Sequence, residues 1–453
     1  MSNAFPPSPR GIATATITPT DPQLLAKGAL SVVFEATDSE VVHLGYLVKA
    51  GTRHEDTPDA GMAHFIEHMS FKGTEKRRAI HISNGLERVG GDLNAYTNKQ
   101  ETVYYATILR KDVRRAVDVL SDIVFRSTYP EREIRKEVEV ICDEIESYRD
   151  TPAELIFDEF EALAFAKHPL GRDILGTPDR LRTYTTADAL RFARRHYRPG
   201  NAVFFATGNV AFSTLLRMLS KEVFGGAATI ETRTSAEKKI SAAEKKFFAA
   251  EIFPTSEVFP PTYGESERIV EKPIHQAHVV CGATTVGGRS ADRHALLLLN
   301  NLLGGPGMNS RLNQRLREKA GLVYSVDSYL TFYPDCGIWY VYFGCDAEDV
   351  GRCRRLLERE LEKLATETLS PTALAAAKQQ LCGQIGIAAE NRESSAIAMA
   401  KSYAWYGTIR RQGDICAAIE AVTAEELRRV AATLFRPDRR RTLIYRPTTA
   451  DNG

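Results

Sequence analysis

The sequence repeats one order of elements twice, and this repeat limits the fold more than any other feature of the chain. In the first half, the apolar runs Leu30–Ala36 and Val41–Val48 are typical of strands and precede a helical stretch, two further strands and an amphipathic helix. From about Glu267 the order strand, helix, two strands, helix returns, and helices follow it in both halves. The repeat predicts an α+β fold of two duplicated domains. Each is expected to be a mainly antiparallel sheet with helices packed on it, and a linker joins the two.

Composition predicts where these domains begin and end. A chain of 453 residues is too long for a single ordinary core. Residues 226–266 are rich in Ala, Lys, Glu and Ser and then in Pro, without periodicity, which is typical of a linker. We therefore predict one domain over 27–225 and a second over 267–447. A flexible N-terminal segment over 1–26 and a tail over 448–453 complete the chain.

Charge and cysteine content exclude several classes of protein. The chain is 43% apolar and 26% charged with a formal net charge of +1, so nothing indicates nucleic acid or an anionic membrane as a partner. Its seven cysteines include no CxxC pair, which favours free thiols in a reducing compartment. The N-terminal residues resemble neither a signal peptide nor a transit peptide, and no apolar run is long enough to span a membrane. We expect a cytoplasmic protein.

The segment His64-Phe-Ile-Glu-His68 carries the strongest chemical signal. In a helix, positions i, i+3 and i+4 share one face, so both imidazoles can bind one metal ion. The carboxylate of Glu67 lies beside them, where it can act on a water molecule. The alternative is a polar helix face without a metal. A catalytic zinc ion usually has three protein ligands, so the segment also predicts a third ligand elsewhere.

The acidic helical stretch after Pro130 offers candidates for that ligand. Glu137 and Glu144 are seven residues apart and share a helix face, so one can bind the metal while the other supports a histidine. Spacing alone does not choose among the acidic residues of this stretch, which are Glu131, Glu133, Glu137, Glu139, Asp143, Glu144 and Glu146.

Three segments resemble the pitrilysin, insulinase and mitochondrial processing peptidase family of inverted zincins. They are the stretch from His64 to Thr74, the stretch Gly90-Gly-Asp-Leu-Asn-Ala-Tyr-Thr97, and the pair Glu137 and Glu144. The resemblance runs from about residue 30 to about residue 445 and is weakest in the linker. It implies a short, two-domain bacterial member of the family.

The resemblance also implies a role for each residue of the site. His64, His68 and Glu144 would hold one zinc ion per chain, Glu137 would support a ligand, and Glu67 would be the general base. The second half has the apolar stretch Leu296–Leu299 followed by two asparagines where the first half has its histidines. This half is therefore expected to lack a metal site.

Four further residues are implied to bind substrate. Asn94 and Ala95 resemble part of an edge strand to which a peptide adds, although Asn94 could equally be a turn residue. Arg317 and Tyr324 lie in Arg317-Glu-Lys-Ala-Gly-Leu-Val-Tyr324, which resembles the family segment that reaches the substrate. Without the family, an ion pair of Arg317 with Glu318 and strand packing of Tyr324 would be the simpler interpretations.

The predicted function is that of a zinc-dependent endopeptidase that cleaves peptides or unfolded polypeptide segments. Full-length enzymes of the family have four such domains that close around a chamber, whereas this chain has two. A homodimer, or a heterodimer with a similar chain, is therefore expected to pair two half-clamshells. The alternative function is a non-catalytic or scaffold subunit of a peptidase-like complex.

Overall fold

The computed structural model describes residues 11–166, 168–234 and 261–448, which form two compact units. Each unit contains one β-sheet with helices packed on it, so the predicted α+β class of two sheet-and-helix domains is confirmed. Within the described residues, no helix combines the length and apolar content needed to cross a bilayer. All seven cysteines are free thiols, as their odd number and spacing predicted.

The strands and helices are numbered in chain order. The strands are β1 Ile12–Pro19, β2 Leu30–Ala36, β3 Val41–Val48, β4 Asp92–Thr97, β5 Thr102–Leu109, β6 Ala202–Gly208, β7 Ala228–Thr234, β8 Glu267–Lys272, β9 Ala277–Val286, β10 Val323–Phe332, β11 Cys336–Cys345 and β12 Arg441–Pro447. The α-helices are α1 Pro22–Leu25, α2 Met62–Ser70, α3 Ala79–Glu87, α4 Val113–Phe125, α5 Glu131–Arg149, α6 Pro152–Ala164, α7 Pro178–Leu181, α8 Thr186–His196, α9 Phe212–Phe224, α10 Arg293–Gly304, α11 Val350–Thr366, α12 Pro371–Ala388, α13 Arg392–Tyr406, α14 Gln412–Ala421 and α15 Ala424–Leu434.

The first sheet has the strand order β4-β5-β3-β6-β2-β1-β7 and is antiparallel except for the β2–β6 pair. Successive side chains of a strand point to opposite faces, and both faces of this sheet are covered. Val32 and Phe34 pack in one apolar cluster together with helices α2, α4 and α5. Val33, between them, packs in a second cluster with residues of α13. This double burial explains why β2 is apolar at successive positions.

The first sheet includes two strands, β1 and β7, that lie outside the predicted domain over 27–225. Residues 12–19 form β1, which pairs with β2 and β7, so the prediction of a flexible segment over 1–26 was wrong for these residues. Ala15 and Ile17 are buried in the core, and this burial holds the strand. Strand β7 likewise takes up residues that were predicted to be linker. Residues 1–10, 235–260 and 449–453 lie outside the described part of the chain.

The second sheet has the order β10-β11-β9-β12-β8, with β8 and β12 parallel and the other pairs antiparallel. One face packs against α10, α11 and α15, and Trp339 is the largest fully buried side chain there. The other face packs against α6 through Phe160 and Ile156, which contact residues of β9 and β12. Each unit therefore has its own core.

Each unit includes one helix from the other half of the sequence. Helix α6 precedes the linker but belongs to the second unit, and α13 follows the linker but belongs to the first. The Glu393 carboxylate of α13 accepts a hydrogen bond from Thr107 of β5 at 2.8 Å, and Trp405 Nε1 donates to Glu101 at 2.7 Å. The domain bounds 27–225 and 267–447 remain predictions. The compact units of the structure are instead built from discontinuous segments of the chain.

The packing of α6 on the second sheet predicts a large effect of Phe160→Ala. The ring is fully buried, so its removal leaves a cavity and should lower the free energy of unfolding by about 3–5 kcal/mol. Glu154→Ala, on an exposed position of the same helix, is the control and should change stability by about 0.5 kcal/mol or less. Urea denaturation of both variants measures the difference. Equal stabilities would contradict the packing described.

Candidate metal centre

Helix α2 is held at its N-terminus by a carboxyl group from the preceding loop. The helix begins after Gly61, whose φ of 85° requires a residue without a side chain. Glu55 is buried and accepts hydrogen bonds from the Gly61 N–H at 3.0 Å and the Ala63 N–H at 2.9 Å. Burial raises the pKa of Glu55 to about 8. The two N–H bonds favour the charged form and act to lower this pKa, but burial has the larger effect. Glu55 therefore fixes the start of the helix that carries both histidines.

The apolar face of α2 anchors it in the core. Phe65, Ile66 and Met69 are fully buried. The hydroxyl of Ser70 donates to the carbonyl of Ile66 at 2.8 Å and lies 3.0 Å from the Tyr104 hydroxyl. This anchoring leaves His64, Glu67 and His68 on the remaining face of the helix.

Helix α5 brings the acidic residues to that face. Its residues Ile141 and Ile145 pack in the same core as α2. Nε2 of His64 lies 3.9 Å from Oε1 of Glu144, and Nε2 of His68 lies 3.6 Å from Oε2 of the same carboxylate. One ligand atom of each of the three side chains lies within 4.8 Å of the other two.

This geometry fits a zinc ion. Two imidazole nitrogens and a carboxylate are a common donor set for catalytic zinc, and tetrahedral zinc separates such atoms by about 3.4 Å. The observed separations of 3.6 and 3.9 Å need little movement to reach that value. The residues present therefore fit the metal that their pattern predicted.

The two histidines of the site differ in their protonation. Burial lowers the pKa of His64 to about 3, and the neighbouring His68 adds to this effect, so His64 is neutral and able to bind a metal. Burial also acts to lower the pKa of His68. The hydrogen bond to Glu137 and the charges of Glu67 and Glu144 outweigh it and raise that pKa.

Glu137 orients His68 through its other ring nitrogen. Nδ1 of His68 donates to Oε1 of Glu137 at 2.9 Å, which leaves Nε2 to face Glu144. Lys72 Nζ lies 2.7 Å from the second oxygen of Glu137. Burial would raise the pKa of Glu137, but the bonds from His68 and Lys72 lower it, so the carboxylate stays charged. This is the supporting arrangement commonly found behind metal-binding histidines.

Glu67 lies in an environment suited to a base. Burial raises the pKa of its carboxyl group, and hydrogen bonds from the hydroxyl and the backbone N–H of Thr97 act in the opposite direction. Its Oε2 atom is buried and has no hydrogen-bond partner among the described residues. A carboxylate with one free oxygen and a raised pKa is a better proton acceptor than an ordinary glutamate.

Asn94 and Ala95 lie on β4, which is the end strand of the first sheet within the described residues. They pair with Tyr105 and Tyr104 of β5, so Asn94 is a strand residue and the alternative of a turn is excluded by the structure. The Asn94 side chain is exposed and donates to Asp92 at 2.7 Å. Their contact with a substrate remains a prediction.

Arg317 and Tyr324 lie in the second unit. Arg317 belongs to a π-helical turn, Asn313–Glu318, and its Nε lies 3.9 Å from Glu318, so the ion pair weighed above is present only as a long contact. Tyr324 is 85% exposed, which argues against strand packing as its role. The guanidinium of Arg317 lies 5.9 Å from the centre of the Tyr324 ring. Their role in binding substrate remains a prediction.

In the second unit, Asn300 of α10 is hydrogen-bonded to neutral polar groups of the sheet. Trp339 Nε1 donates to the Ser328 hydroxyl at 2.9 Å, and that hydroxyl donates to Asn300 Oδ1 at 2.7 Å. Asn300 follows the apolar stretch Leu296–Leu299 of α10. This chain of hydrogen bonds satisfies the polar groups without a metal ion.

Sequence reasoning missed three residues of the site: Glu55, Lys72 and Thr97. Glu55 acts from a loop six residues before Gly61, and no local capping pattern spans that distance. Lys72 belongs to the stretch that suggested the site, but its contact with Glu137 depends on how α2 and α5 pack. Thr97 ends the stretch beginning at Gly90, which the resemblance had already singled out.

Comparison with known families agrees with this arrangement. Residues 31–178 match the family described as Insulinase (Peptidase family M16), and residues 183–381 match the Peptidase M16 inactive domain. Together these matches cover most of the sequence. The chain belongs to peptidase family M16. The second match agrees with the lack of a histidine pair in the corresponding helix α10, whose one histidine is His294.

Bacterial relatives are similar over nearly their whole length. A protein of Streptomyces coelicolor named an uncharacterized zinc protease is 33% identical over 405 residues, which cover 89% of this chain and 85% of the relative. A protein of Mycobacterium tuberculosis strain H37Rv, also named an uncharacterized zinc protease, is 34% identical over 411 residues, covering 90% and 89% of the two chains. One from Bacillus subtilis is 30% identical, covering 89% and 92%.

Solved structures share the fold. A protease from Helicobacter pylori has a TM-score of 0.79 at 22% identity and covers 98% of this chain and 100% of its own. A peptidase M16 inactive domain protein from Pseudomonas fluorescens has a TM-score of 0.79 at 19% identity, with coverages of 94% and 97%.

The support of His68 by Glu137 predicts weaker zinc binding in Glu137→Gln. The neutral amide attracts the His68 Nδ1–H less strongly than the carboxylate does, and we expect about 10–100-fold lower zinc affinity. Glu139→Gln, at an exposed position of the same helix, is the matched control and should retain the affinity of the unmodified protein. Competition with a chromogenic chelator measures both. Equal affinities for the two variants would exclude this supporting role.

Proposed function

We propose that this protein is a zinc-dependent endopeptidase that cleaves peptides or unfolded polypeptide segments. The observation that carries the proposal is the convergence of His64 Nε2, His68 Nε2 and the Glu144 carboxylate beside Glu67. Family membership and the naming of relatives as zinc proteases support it. The alternative of a non-catalytic subunit would not require the free oxygen and raised pKa of Glu67.

His64, His68 and Glu144 would hold the zinc ion, which when bound supplies a Lewis acid that polarises the scissile carbonyl and acidifies water. Glu67 accepts the proton of the attacking water and later delivers it to the leaving amine. Thr97 orients the Glu67 carboxylate for both transfers. Glu137 keeps the proton of His68 on Nδ1, away from the metal side of the ring.

Substrate binding is proposed to use main-chain pairing. Among the described residues no strand pairs with the outer edge of β4, and an added strand would pair there at Asn94 and Ala95 with little demand on peptide sequence. Arg317 and Tyr324 are proposed to bind substrate carbonyls or to stabilise the oxyanion. The exposure of Tyr324 supports this role, and Tyr324→Phe in a peptide cleavage assay tests it.

A closed chamber formed by paired chains is proposed to select the substrates. The described part of this chain forms two sheet units, so a second copy or a similar chain would supply the other half. Only peptides and unfolded segments would then reach the site.

The general-base role of Glu67 predicts a large loss of activity in Glu67→Gln. An amide cannot accept the proton, so cleavage of a mixture of unstructured peptides, followed by mass spectrometry, should slow by about 10²–10⁴-fold. Zinc content should be unchanged because the three ligands remain. Glu75→Gln, at an exposed position, should cleave at the unmodified rate. Cleavage by Glu67→Gln at the unmodified rate, or a purified protein that does not bind zinc, would refute the proposal.

The bonds from Thr97 predict a pH shift in Thr97→Val. The hydroxyl favours the charged form of Glu67, so its removal raises the pKa of that group. A base works only when deprotonated, and the acidic limb of the kcat/KM profile should therefore move to higher pH. The profile measured between pH 5 and 9 is the test. A limb that stays in place, or moves to lower pH, would show that Thr97 does not tune this carboxylate.

The paired chamber predicts that activity requires association. Sedimentation velocity at the concentration of the cleavage assay should find a species of twice the chain mass, or a complex with a similar chain. A monomer with full cleavage activity would rule out the paired arrangement while leaving the zinc chemistry intact.

A further inference from the structure

The second unit holds a group of metal-binding side chains that the proposed peptidase chemistry does not use. His168 follows α6, whereas Asp335 and Cys336 lie where the β10–β11 turn enters β11. One ligand atom of each lies within 4.8 Å of the other two. Cys336 is buried, and the other two side chains are partly buried. Apart from the site on α2 and α5, this is the only such cluster in the described part of the chain.

Both segments that carry these side chains are fixed by backbone hydrogen bonds. In the turn, Tyr333 N–H donates to the Cys336 carbonyl at 2.8 Å, and Gly288 N–H donates to the Tyr333 carbonyl at 2.8 Å. At the other segment, His168 N–H donates to the Phe165 carbonyl at 2.7 Å, and the Phe165 and His168 rings lie 5.7 Å apart. The three potential ligands are therefore positioned by the fold before any ion binds.

We propose that His168, Asp335 and Cys336 form a second zinc site. Imidazole nitrogen, thiolate sulfur and carboxylate oxygen are the three ligand types of zinc, and the sulfur disfavours magnesium and calcium. Tetrahedral zinc separates such atoms by about 3.4–3.6 Å, so side-chain movements on the order of 1 Å complete the site from the present geometry. Three protein ligands leave the fourth position to water.

Binding changes two protons within the cluster. The Cys336 thiol loses its proton to solvent as the zinc–sulfur bond forms. Nδ1 of His168 accepts a hydrogen bond from the Leu170 N–H at 3.2 Å, so the neutral ring carries its proton on Nε2. Ligation by either nitrogen ends that bond, and ligation by Nε2 also moves the ring proton to Nδ1. One proton is released for each zinc ion bound, so the apparent affinity rises with pH.

A zinc ion at this position would have a structural consequence. His168 follows the helix that the first half of the chain contributes to the second unit, and Cys336 begins a strand of the second sheet. The ion would join these two segments, which are far apart in sequence, and would stabilise α6 on its sheet.

Cobalt substitution in the full chain tests the site without reference to peptidase activity. The starting protein is the double variant H64A/H68A, which lacks the histidines of the first site. Titration with Co²⁺ should give a near-ultraviolet charge-transfer band, because the second site contains a sulfur ligand. Equilibrium dialysis against Zn²⁺ should find one ion per chain, and the added zinc should raise the melting temperature.

Three further substitutions in the same background assign the ligands. Adding C336S should abolish the band, the bound zinc and the rise in melting temperature, whereas C281S, at another buried thiol of the unit, should leave all three unchanged. H168A provides a second test at a partly buried position if C336S does not fold, as judged by circular dichroism. Absence of the band and of bound zinc in H64A/H68A, or a band that persists in folded C336S or H168A, would overturn the proposal.

Discussion

The contact of one imidazole with two carboxylates of the same helix determines the geometry of the site. His68 donates from Nδ1 to Glu137 and presents Nε2 to Glu144, and these two residues lie two turns apart on α5. The distance between α2 and α5 is set by apolar packing, in which Ile66 and Ile141 are fully buried. A shift of α5 by one residue would rotate both carboxylates by about 100° around its axis and remove them from the ring together. The polar site therefore depends on the core beneath it.

The sequence was sufficient to predict the fold class and the proximity of His64, His68 and Glu144. Two histidines at i and i+4 and two glutamates at i and i+7 require only helical geometry to share a face. The choice of Glu144 among the acidic residues of α5 required the family resemblance, because helix periodicity alone does not distinguish Glu144 from the others. Residues placed by tertiary packing were harder to predict. Glu55 reaches the helix start from a loop, and Lys72, just after the end of α2, contacts Glu137 of α5.

The sequence did not predict strand β1 of the first sheet either, and the cause is related. Strand β1 reads Ile-Ala-Thr-Ala-Thr-Ile-Thr-Pro, and its small alanines and threonines give little apolar signal. The prediction that helices follow the repeated order in both halves likewise did not indicate which sheet α6 and α13 cover. Val33 and Val203 need a partner on the second face of the first sheet, yet their sequence does not indicate that α13 supplies it. Which helix covers which sheet depends on the packing of segments that are far apart in the sequence.

The exchange of α6 and α13 has a consequence for synthesis of the protein. When β6 has left the ribosome, the face of the first sheet that contains Val33, Leu47 and Phe205 still lacks its covering helix. At about 5–20 residues per second, α13 is made on the order of 10–40 s later. The nascent first sheet thus passes through a period with an apolar face open to water, during which a chaperone can bind it. A chain cut within the linker would leave each fragment without a helix that its sheet requires.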